Sequence, residues 1–264
     1  MHWRQRITQV VIVILTSLTA SAFAPQLTHD WQSPDYILKA FQEIALKNEY
    51  RQTDERIMKW EKPIRYRYVF YKLPENDVVK QLSETHLKHL AEITQHPIIQ
   101  SQEAQDSNLN IIFTRDAFYQ ETINRYTSTD VKNLGTESHC MGTIRHNRNN
   151  EILQAMVIIP VDHAMSRGIL PACVVEELTQ VMGLPNDSDW VAPSIANDQS
   201  RLDLLTGLDY ILLKLLYDND IKAGMGAEES TPILKNRIQA FEKEGLIRRA
   251  GNQVNRSGVY QLLY

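Results

Sequence analysis

The sequence predicts an α+β domain in which a mixed β-sheet is covered by helices. Segments with the alternating apolar pattern of strands are interleaved with segments of helical period. Two of the strand-like segments flank an asparagine-rich turn, which predicts an antiparallel hairpin. A helix with two adjacent glutamates, here called the glutamate helix, follows the hairpin directly. This order of elements places the glutamate helix beside the sheet.

The chain has 264 residues, enough for an N-terminal export signal and one domain with appendages. A basic start, an apolar run over about residues 10–18 and several small residues predict a signal peptide over residues 1–22. Cleavage after Ala22 is favoured, because cleavage after Ala24 would place Pro25 at the cut. An uncleaved N-terminal anchor is the alternative. We expect a periplasmic or secreted protein with no membrane span in the mature chain, since no later apolar segment is long enough.

Before the hairpin, helical and strand-like segments alternate. The predicted elements are a helix over 34–47, a strand over 64–70, a helix over 77–94, a strand over 109–114 and a helix or turn over 115–123. We expect residues 23–56 to form an N-terminal helical arm. Residues 57–225 are predicted to form the main domain.

From the hairpin onward, the elements lead to the C-terminal part. The predicted elements are hairpin strands over 140–145 and 152–160, the glutamate helix, a polar loop over 185–200, an apolar helix through Tyr217, a helix over 231–244 and a hairpin or loop over 248–264. Thr206 and Asp209 form a capping box that starts the apolar helix. Residues 226–264 are predicted to be a separate C-terminal helix and tail.

The cysteines and the net charge restrict the compartment and the partners. Cys140 and Cys173 are predicted to form one disulfide in an exported chain, and this bond would tie the sheet to the glutamate helix. The net charge is −4, and removal of the basic signal makes it more negative. An acidic chain argues against nucleic acid as a partner. The expected partner is a peptide, a cell-wall fragment or another protein.

The glutamate helix has the spacing of a zinc-protease active site whose zinc ligands are replaced. The pattern H-E-x-x-H places two histidines one turn apart to hold Zn²⁺ and uses the glutamate as general base. The same positions here are Glu176, Glu177 and Gln180. Longer versions continue with a glycine and a third histidine, and here Gly183 is kept whereas Asn186 replaces the ligand. Glu177 is therefore the candidate general base.

Two interpretations of this helix remain open. At 100° per residue, the apolar side chains fall on one side: Val174, Val175, Leu178, Val181 and Met182. Glu176, Glu177 and Gln180 fall on the other side, as the polar residues of any surface helix do. The continuation Gly183–Asp187, a glycine exit followed by an amide and an acid, favours a functional site instead.

The former ligand positions determine which ion the site would accept. Glu176, Gln180, Asn186 and the neighbouring Asp187 offer oxygen ligands, whereas Zn²⁺ prefers imidazole and thiolate. We therefore expect no zinc, and a hard cation such as Ca²⁺ is the candidate ion. Such a cation acidifies bound water less than zinc does. Without an ion, Glu177 would act as general base on a water molecule held by the substrate.

Four histidines are weaker candidates for a metal site. His86 and His89 lie one turn apart on a helix face that we predict to be solvated, so an isolated metal pair is the less favoured interpretation. His139 adjoins Cys140, and His163 follows the last strand. Either is a candidate replacement ligand at the cleft, and an ordinary surface position is the alternative.

The polar loop after the glutamate helix is rich in acids. They are Asp187, Asp189, Asp198 and Asp203. One interpretation is a Ca²⁺ site built from these carboxylates. The other is a solvated loop that uses aspartate and asparagine to form turns, which is the more common role of such residues.

The combination of motifs resembles an uncharacterised bacterial family. The motifs are Trp60 with the strand after it, Cys173-x-x-Glu176-Glu177-x-x-Gln180, Gly183–Asp187, Ser194-Ile195-x-Asn197-Asp198, Leu205-Thr206-Gly207-x-Asp209, and Leu216–Asp218 with Gly224–Met225. Over about residues 57–225 the chain is similar to the family called domain of unknown function twenty-nine twenty-seven. The resemblance implies a fold similar to metzincin-type metalloproteases, with Ala196 where metzincins carry a methionine turn. It implies no established activity.

Three functions are compatible with these observations. The favoured one is an exported metzincin-like domain that has lost zinc catalysis and binds a ligand in the former active-site cleft. The second is an active, peptidase-like hydrolase that uses Glu177 with an unusual metal site or none. The third is a structural subunit of the cell envelope whose working surface is the N-terminal arm or the C-terminal helix. Loss of both imidazoles within a retained frame favours the first.

Overall fold

The computed structural model describes residues 31–48, 55–128, 134–197, 199–200 and 202–264. The predicted signal peptide over residues 1–22, with its cleavage site at Ala22 or Ala24, lies outside these described residues, and so does Asp198. Within the described ranges, no helix is both long and apolar enough to cross a membrane.

A five-stranded sheet forms the centre of the described part of the chain. Its strands are β1 (Ile64–Phe70), β2 (Ile98–Gln100), β3 (Leu109–Thr114), β4 (Met141–His146) and β5 (Ile152–Pro160). The order across the sheet is β2-β1-β3-β5-β4; β4 is antiparallel to β5 at one edge, and the other pairs are parallel. The predicted strands and hairpin are confirmed. The sequence does not predict β2, because its three residues are too few to show a period.

Helices pack on both faces of this sheet. They are α1 (Pro34–Leu46), α2 (Asp77–Thr94), α3 (Tyr119–Tyr126), α4 (Leu134–Glu137), α5 (Val161–Ser166), α6 (Leu170–Gln180), α7 (Gly207–Leu216), α8 (Ala227–Lys243), α9 (Leu246–Val254) and α10 (Val259–Leu263). The predicted helices correspond to α1, α2, α3, α7 and α8, and the glutamate helix is α6. The chain therefore has a mixed α/β fold with a mostly parallel sheet.

Side chains at the helix starts show why these segments begin where they do. Asn76 precedes α2, and its Oδ1 accepts the N–H of Val78 at 2.9 Å. The predicted capping box before α7 is confirmed. The N–H of Thr206 donates to Asp209 at 2.8 Å, and the N–H of Asp209 donates to the Thr206 hydroxyl at 3.3 Å.

The main core lies between one face of the sheet and the helices α1, α2, α6 and α7. β3 is buried along its whole length because both of its faces are covered. Ile111 belongs to the main core, whereas Ile112 belongs to a smaller cluster under α3 on the opposite face. Ile37 and Phe41 of α1 are fully buried, so the first described helix is part of the main core.

The C-terminal tail differs from the prediction. A hairpin or loop over 248–264 is wrong, because this segment forms the helices α9 and α10. Ile247, Ala250 and Val254 lie at helical intervals and are buried, and α9 packs against α7. Gly245 and Gly258, with φ of 68° and 77°, separate α8, α9 and α10. Helices this short depend on tertiary packing, which a local pattern does not reveal.

His86 and His89 are buried, so the predicted solvated face is wrong. The C-terminal segment covers them, and a Cβ at Gly258 would collide with the His89 ring. Nε2 of His86 lies 3.0 Å from the hydroxyl of Thr179, which donates to the Val175 carbonyl at 2.6 Å and therefore accepts from His86. Burial lowers the pKa of His86 to about 3 and also lowers the pKa of His89.

The predicted disulfide between Cys140 and Cys173 is confirmed. The two Cα atoms are 5.8 Å apart, a usual distance for such a bond. Cys140 immediately precedes β4, and Cys173 lies one helical turn before Glu177 on α6. The bond therefore links the edge strand of the sheet covalently to the helix that carries the candidate base.

We expect the double variant Cys140→Ser, Cys173→Ser to lose about 3–4 kcal/mol of unfolding free energy. The bond closes a loop with a sequence separation of 33, which restricts the unfolded chain. Urea unfolding without reductant measures the loss. Reduced wild-type protein is the control and should match the variant. Equal stability of the oxidised wild type and the variant would contradict this expectation.

Acid should destabilise the fold through His86. The unfolded imidazole takes up a proton near pH 6.5, whereas the folded state holds the pKa near 3. The unfolded state therefore binds more protons below pH 6.5, and stability falls as the pH falls. Between pH 7 and pH 5 this one group should remove about 2 kcal/mol, measured by urea unfolding.

A matched pair of variants isolates this effect. His86→Gln should flatten the pH dependence of the unfolding free energy in that range. His146→Gln, at the exposed end of β4, should leave the slope as it is in the wild type. If the unfolding free energy of His86→Gln falls with pH as steeply as that of the wild type, another group causes the acid sensitivity.

Candidate functional site

Glu177 on α6 lies against the edge strand β4. Its side chain is 6% exposed, and a Cβ at Gly142 of β4 would stand 3.0 Å from the Glu177 Oε2 atom. The same Cβ would stand 3.0 Å from Cγ1 of Val181. The glycine therefore makes room for the carboxylate. An isolated glycine within a strand is a known sign of such a close approach, and this was the signal available in the sequence.

The polar residues of α6 are not equally exposed. Glu177 and Thr179 are buried, whereas Glu176 and Gln180 are partly exposed. A solvated polar face would expose Glu176, Glu177 and Gln180 alike, so the burial of Glu177 contradicts that interpretation at this position. Contacts from β4 cover Glu177, and a contact from α2 covers Thr179.

Tyr119 adds a phenol to this region that sequence reasoning missed. Its ring is buried in the cluster under α3, and its hydroxyl lies 3.0 Å from the Ser138 hydroxyl. Burial raises the pKa of Tyr119, and the negative charges of Glu177 and Asp116 raise it further. The phenol therefore keeps its proton at neutral pH and remains a hydrogen-bond donor. Its only sequence signal was an aromatic residue in a predicted helix or turn.

Two of the former ligand positions are joined by a hydrogen bond. Nε2 of Gln180 donates to Oδ1 of Asp187 at 2.7 Å. Asn186 is buried, and its Nδ2 donates to the carbonyls of Glu43 at 3.1 Å and of Asp187 at 2.7 Å. The structure therefore does not bring the four predicted ligand positions together. Gln180 and Asp187 meet, the Asn186 amide holds the end of α1, and Glu176 lies on the partly exposed side of α6.

The turn after α6 requires a glycine. Gly183 has a φ of 113°, and a Cβ there would collide with the Met58 carbonyl. Trp60 and Tyr217 each donate a hydrogen bond to a backbone carbonyl of this turn at 2.8 Å. Glycine and tryptophan, both noted as motif residues, therefore hold the end of the helix in place.

The loop around Ser194 is held by Asp209. This buried carboxylate accepts the Ser194 hydroxyl at 2.6 Å and the N–H groups of Ile195 at 3.2 Å and Thr206 at 2.8 Å. Burial raises the pKa of Asp209, although these hydrogen bonds oppose the shift. The serine-containing motif and the capping-box motif are therefore one structural unit, in which Ala196 is buried.

The acidic loop does not form a cluster in the described residues. Asp187 is bonded to Gln180, Asp189 and Asp203 are exposed, and Asp198 lies outside the described ranges. In that part of the chain, no three side chains of His, Cys, Asp or Glu are grouped so that they could hold a metal ion.

His139 and His163 meet, although they come from different elements. Nδ1 of His139 lies 2.9 Å from Nε2 of His163, and the ring centroids are 5.1 Å apart with an interplanar angle of 33°. Oδ1 of Asp116 lies 3.4 Å from Nδ1 of His163. His139 precedes the disulfide residue Cys140, and His163 lies in α5. The structure thus pairs the two histidines that the sequence offered as separate candidates.

Comparison with known proteins gives a family and no described activity. The family model for Protein of unknown function (DUF2927) matches residues 34–236, from the start of α1 into α8. This range contains every residue of the site and confirms the resemblance to a domain of unknown function. No curated protein matches the chain, and no solved structure matches it.

A side chain at Gly142 should displace the Glu177 carboxylate. We expect Gly142→Val to lower the unfolding free energy by about 1–3 kcal/mol, because both contacts of the added Cβ are already at 3.0 Å. Chemical denaturation measures the change. Thr143→Val, at the next residue of the strand and thus on its other face, should stay within about 0.5 kcal/mol of the wild type. A Gly142 variant as stable as the control would contradict the close approach.

Proposed function

The chain belongs to the DUF2927 family, and we propose that it is an exported, metzincin-like domain that binds a polypeptide segment without cleaving it. The proposed binding site is the outer edge of β4 beside Glu177, here called the Glu177 edge and defined by Glu177, Gly142 and Val181. The hydrogen bond between Gln180 and Asp187 is the observation that carries the proposal.

That hydrogen bond takes the place of a metal bridge. In a zinc protease the ion links the second histidine of the helix to the third histidine beyond the glycine turn. Here the helix and the segment after Gly183 are linked by an amide N–H of Gln180 that points at the Asp187 carboxylate. The amide nitrogen that makes this bond cannot serve as a metal ligand, because a ligand must present a lone pair and only the carbonyl oxygen Oε1 of Gln180 has one. Nδ2 of Asn186 is likewise used as a donor to backbone carbonyls.

The edge strand supports polypeptide as the ligand. β4 pairs only with β5 in the described sheet, so its outer edge presents backbone N–H and C=O groups. An extended peptide that adds to such an edge gains main-chain hydrogen bonds, and adjacent side-chain pockets provide specificity. The buried carboxylate of Glu177 beside Gly142 gives this end of the strand a distinct polar feature.

The position of α6 supports the metzincin-like part of the proposal. The helix follows the edge hairpin after the short helix α5 and carries Glu177 at the general-base spacing of the zinc-protease pattern. Gly183 forms the turn, and Asn186 occupies the third ligand position at the spacing of the longer zinc-protease pattern. The confirmed disulfide supports export, since such bonds persist in oxidising compartments.

A first experiment tests the loss of the metal bridge. Mature protein without an affinity tag would be purified without chelator and compared with the Glu176→Ala, Gln180→Ala double variant by elemental analysis. We expect the same metal content in both, because neither side chain holds an ion. Stoichiometric metal that disappears in the double variant would overturn the proposal and indicate a rebuilt metal site.

A second experiment tests binding without cleavage. Peptides selected from a random library on wild-type protein would be incubated with the wild type and with Glu177→Gln. We expect both proteins to fold, to bind the peptides and to leave them intact. Hydrogen exchange should slow in β4 and stay unchanged in β2, the other edge strand, which serves as the internal control. Cleavage by the wild type that Glu177→Gln abolishes would support the hydrolase alternative instead.

A further inference from the structure

We propose that His139 and His163 form a binding site for a divalent transition-metal ion of the kind that prefers imidazole, such as Zn²⁺, Ni²⁺ or Cu²⁺. This site is separate from the positions of Gln180 and Asp187 and goes beyond peptide binding at the Glu177 edge. Water would fill the remaining coordination positions, because the site has only two imidazole donors.

The two ring nitrogens are already close to the separation that an ion needs. With a Zn–N distance of about 2.0–2.1 Å and a tetrahedral angle, two donors stand about 3.3 Å apart. Nδ1 of His139 and Nε2 of His163 are 2.9 Å apart. The two nitrogens therefore need to separate by about 0.4 Å, and each ring has to turn so that both lone pairs point at the ion and not at each other.

Asp116 selects the tautomer of His163 that a metal requires. Its carboxylate oxygen lies 3.4 Å from Nδ1 of His163 and favours the proton on that nitrogen. The Nε2 lone pair of His163 then faces His139, and in the absence of an ion the Nδ1–H of His139 donates to it. When an ion binds, the proton of His139 would move from its Nδ1 to its own Nε2. Nδ1 of His139 would then bind the ion while the ring stays neutral. A carboxylate behind a ligating histidine is the usual arrangement around bound zinc.

Backbone contacts fix the position of His163. Oδ1 of Asp162 accepts the N–H of His163 at 3.0 Å and the N–H of Asp116 at 2.7 Å. The carboxylate of Asp162 therefore joins the histidine and its orienting partner at the start of α5. The preorganisation lowers the cost of bringing the donor and its carboxylate together.

The disulfide fixes the position of His139. The next residue, Cys140, is bonded to Cys173 of α6, so the backbone beside this ligand is anchored to the core. His139 is exposed, so an ion reaches the site from solvent.

Calorimetric titration with Zn²⁺ and separately with Ni²⁺ tests the site in mature, untagged protein after chelator treatment and dialysis. We expect saturable binding of one ion per chain. His139→Ala and His163→Ala should each abolish it, and Asp116→Asn should weaken it by about 10–100-fold. Circular dichroism would confirm that each variant is folded, and a misfolded alanine variant would be replaced by glutamine.

Two further variants separate this site from other positions. His146→Ala, an exposed histidine at the end of β4, should bind as the wild type does. The Glu176→Ala, Gln180→Ala variant should also keep the ion, so failure of this proposal is distinguishable from failure of the peptide-binding proposal. Absence of saturable binding in the wild type would overturn the inference. Wild-type affinity in folded His139 and His163 variants, or equal loss in the His146 variant, would also overturn it.

Discussion

The close contact between α6 and the edge strand β4 determines what the rest of the site can do. Glu177 reaches the strand only because Gly142 has no side chain, and the Cys140–Cys173 bond holds the two elements together one turn away. The candidate base is therefore buried against β4, an edge strand of the described sheet. The orientation of its carboxylate depends on this contact.

Several motif residues of the chain hold the backbone in place and have no catalytic role in the structure. Gly183 permits the turn after α6, and Trp60 bonds to a carbonyl of that turn. Asp209 joins the loop around Ser194 to the start of α7. Because these residues are explained by backbone geometry, their presence gives no argument for catalysis. The argument for function rests on Glu177 and on the pairing of Gln180 with Asp187.

Local patterns predicted those parts of the fold that local interactions determine. The strand over 64–70 and the capping box of Thr206 were both predicted from the sequence. Burial of His86 was not, because the covering tail lies far along the chain. Nor was the contact of His139 with His163, since it depends on how β4 and α5 meet. Such tertiary contacts leave no periodic signal in one sequence.

The hydrogen bond from Gln180 to Asp187 holds the end of α6 less firmly than a metal ion at these positions would. A structural zinc ion contributes about 10–16 kcal/mol, whereas a hydrogen bond to a charged group contributes about 1.5–3 kcal/mol. The bond from Gln180 to Asp187 is therefore too weak to define the turn alone. Trp60 and Tyr217 bind carbonyls of the turn, and the disulfide anchors the start of the same helix. These contacts together hold the end of α6 against the rest of the core.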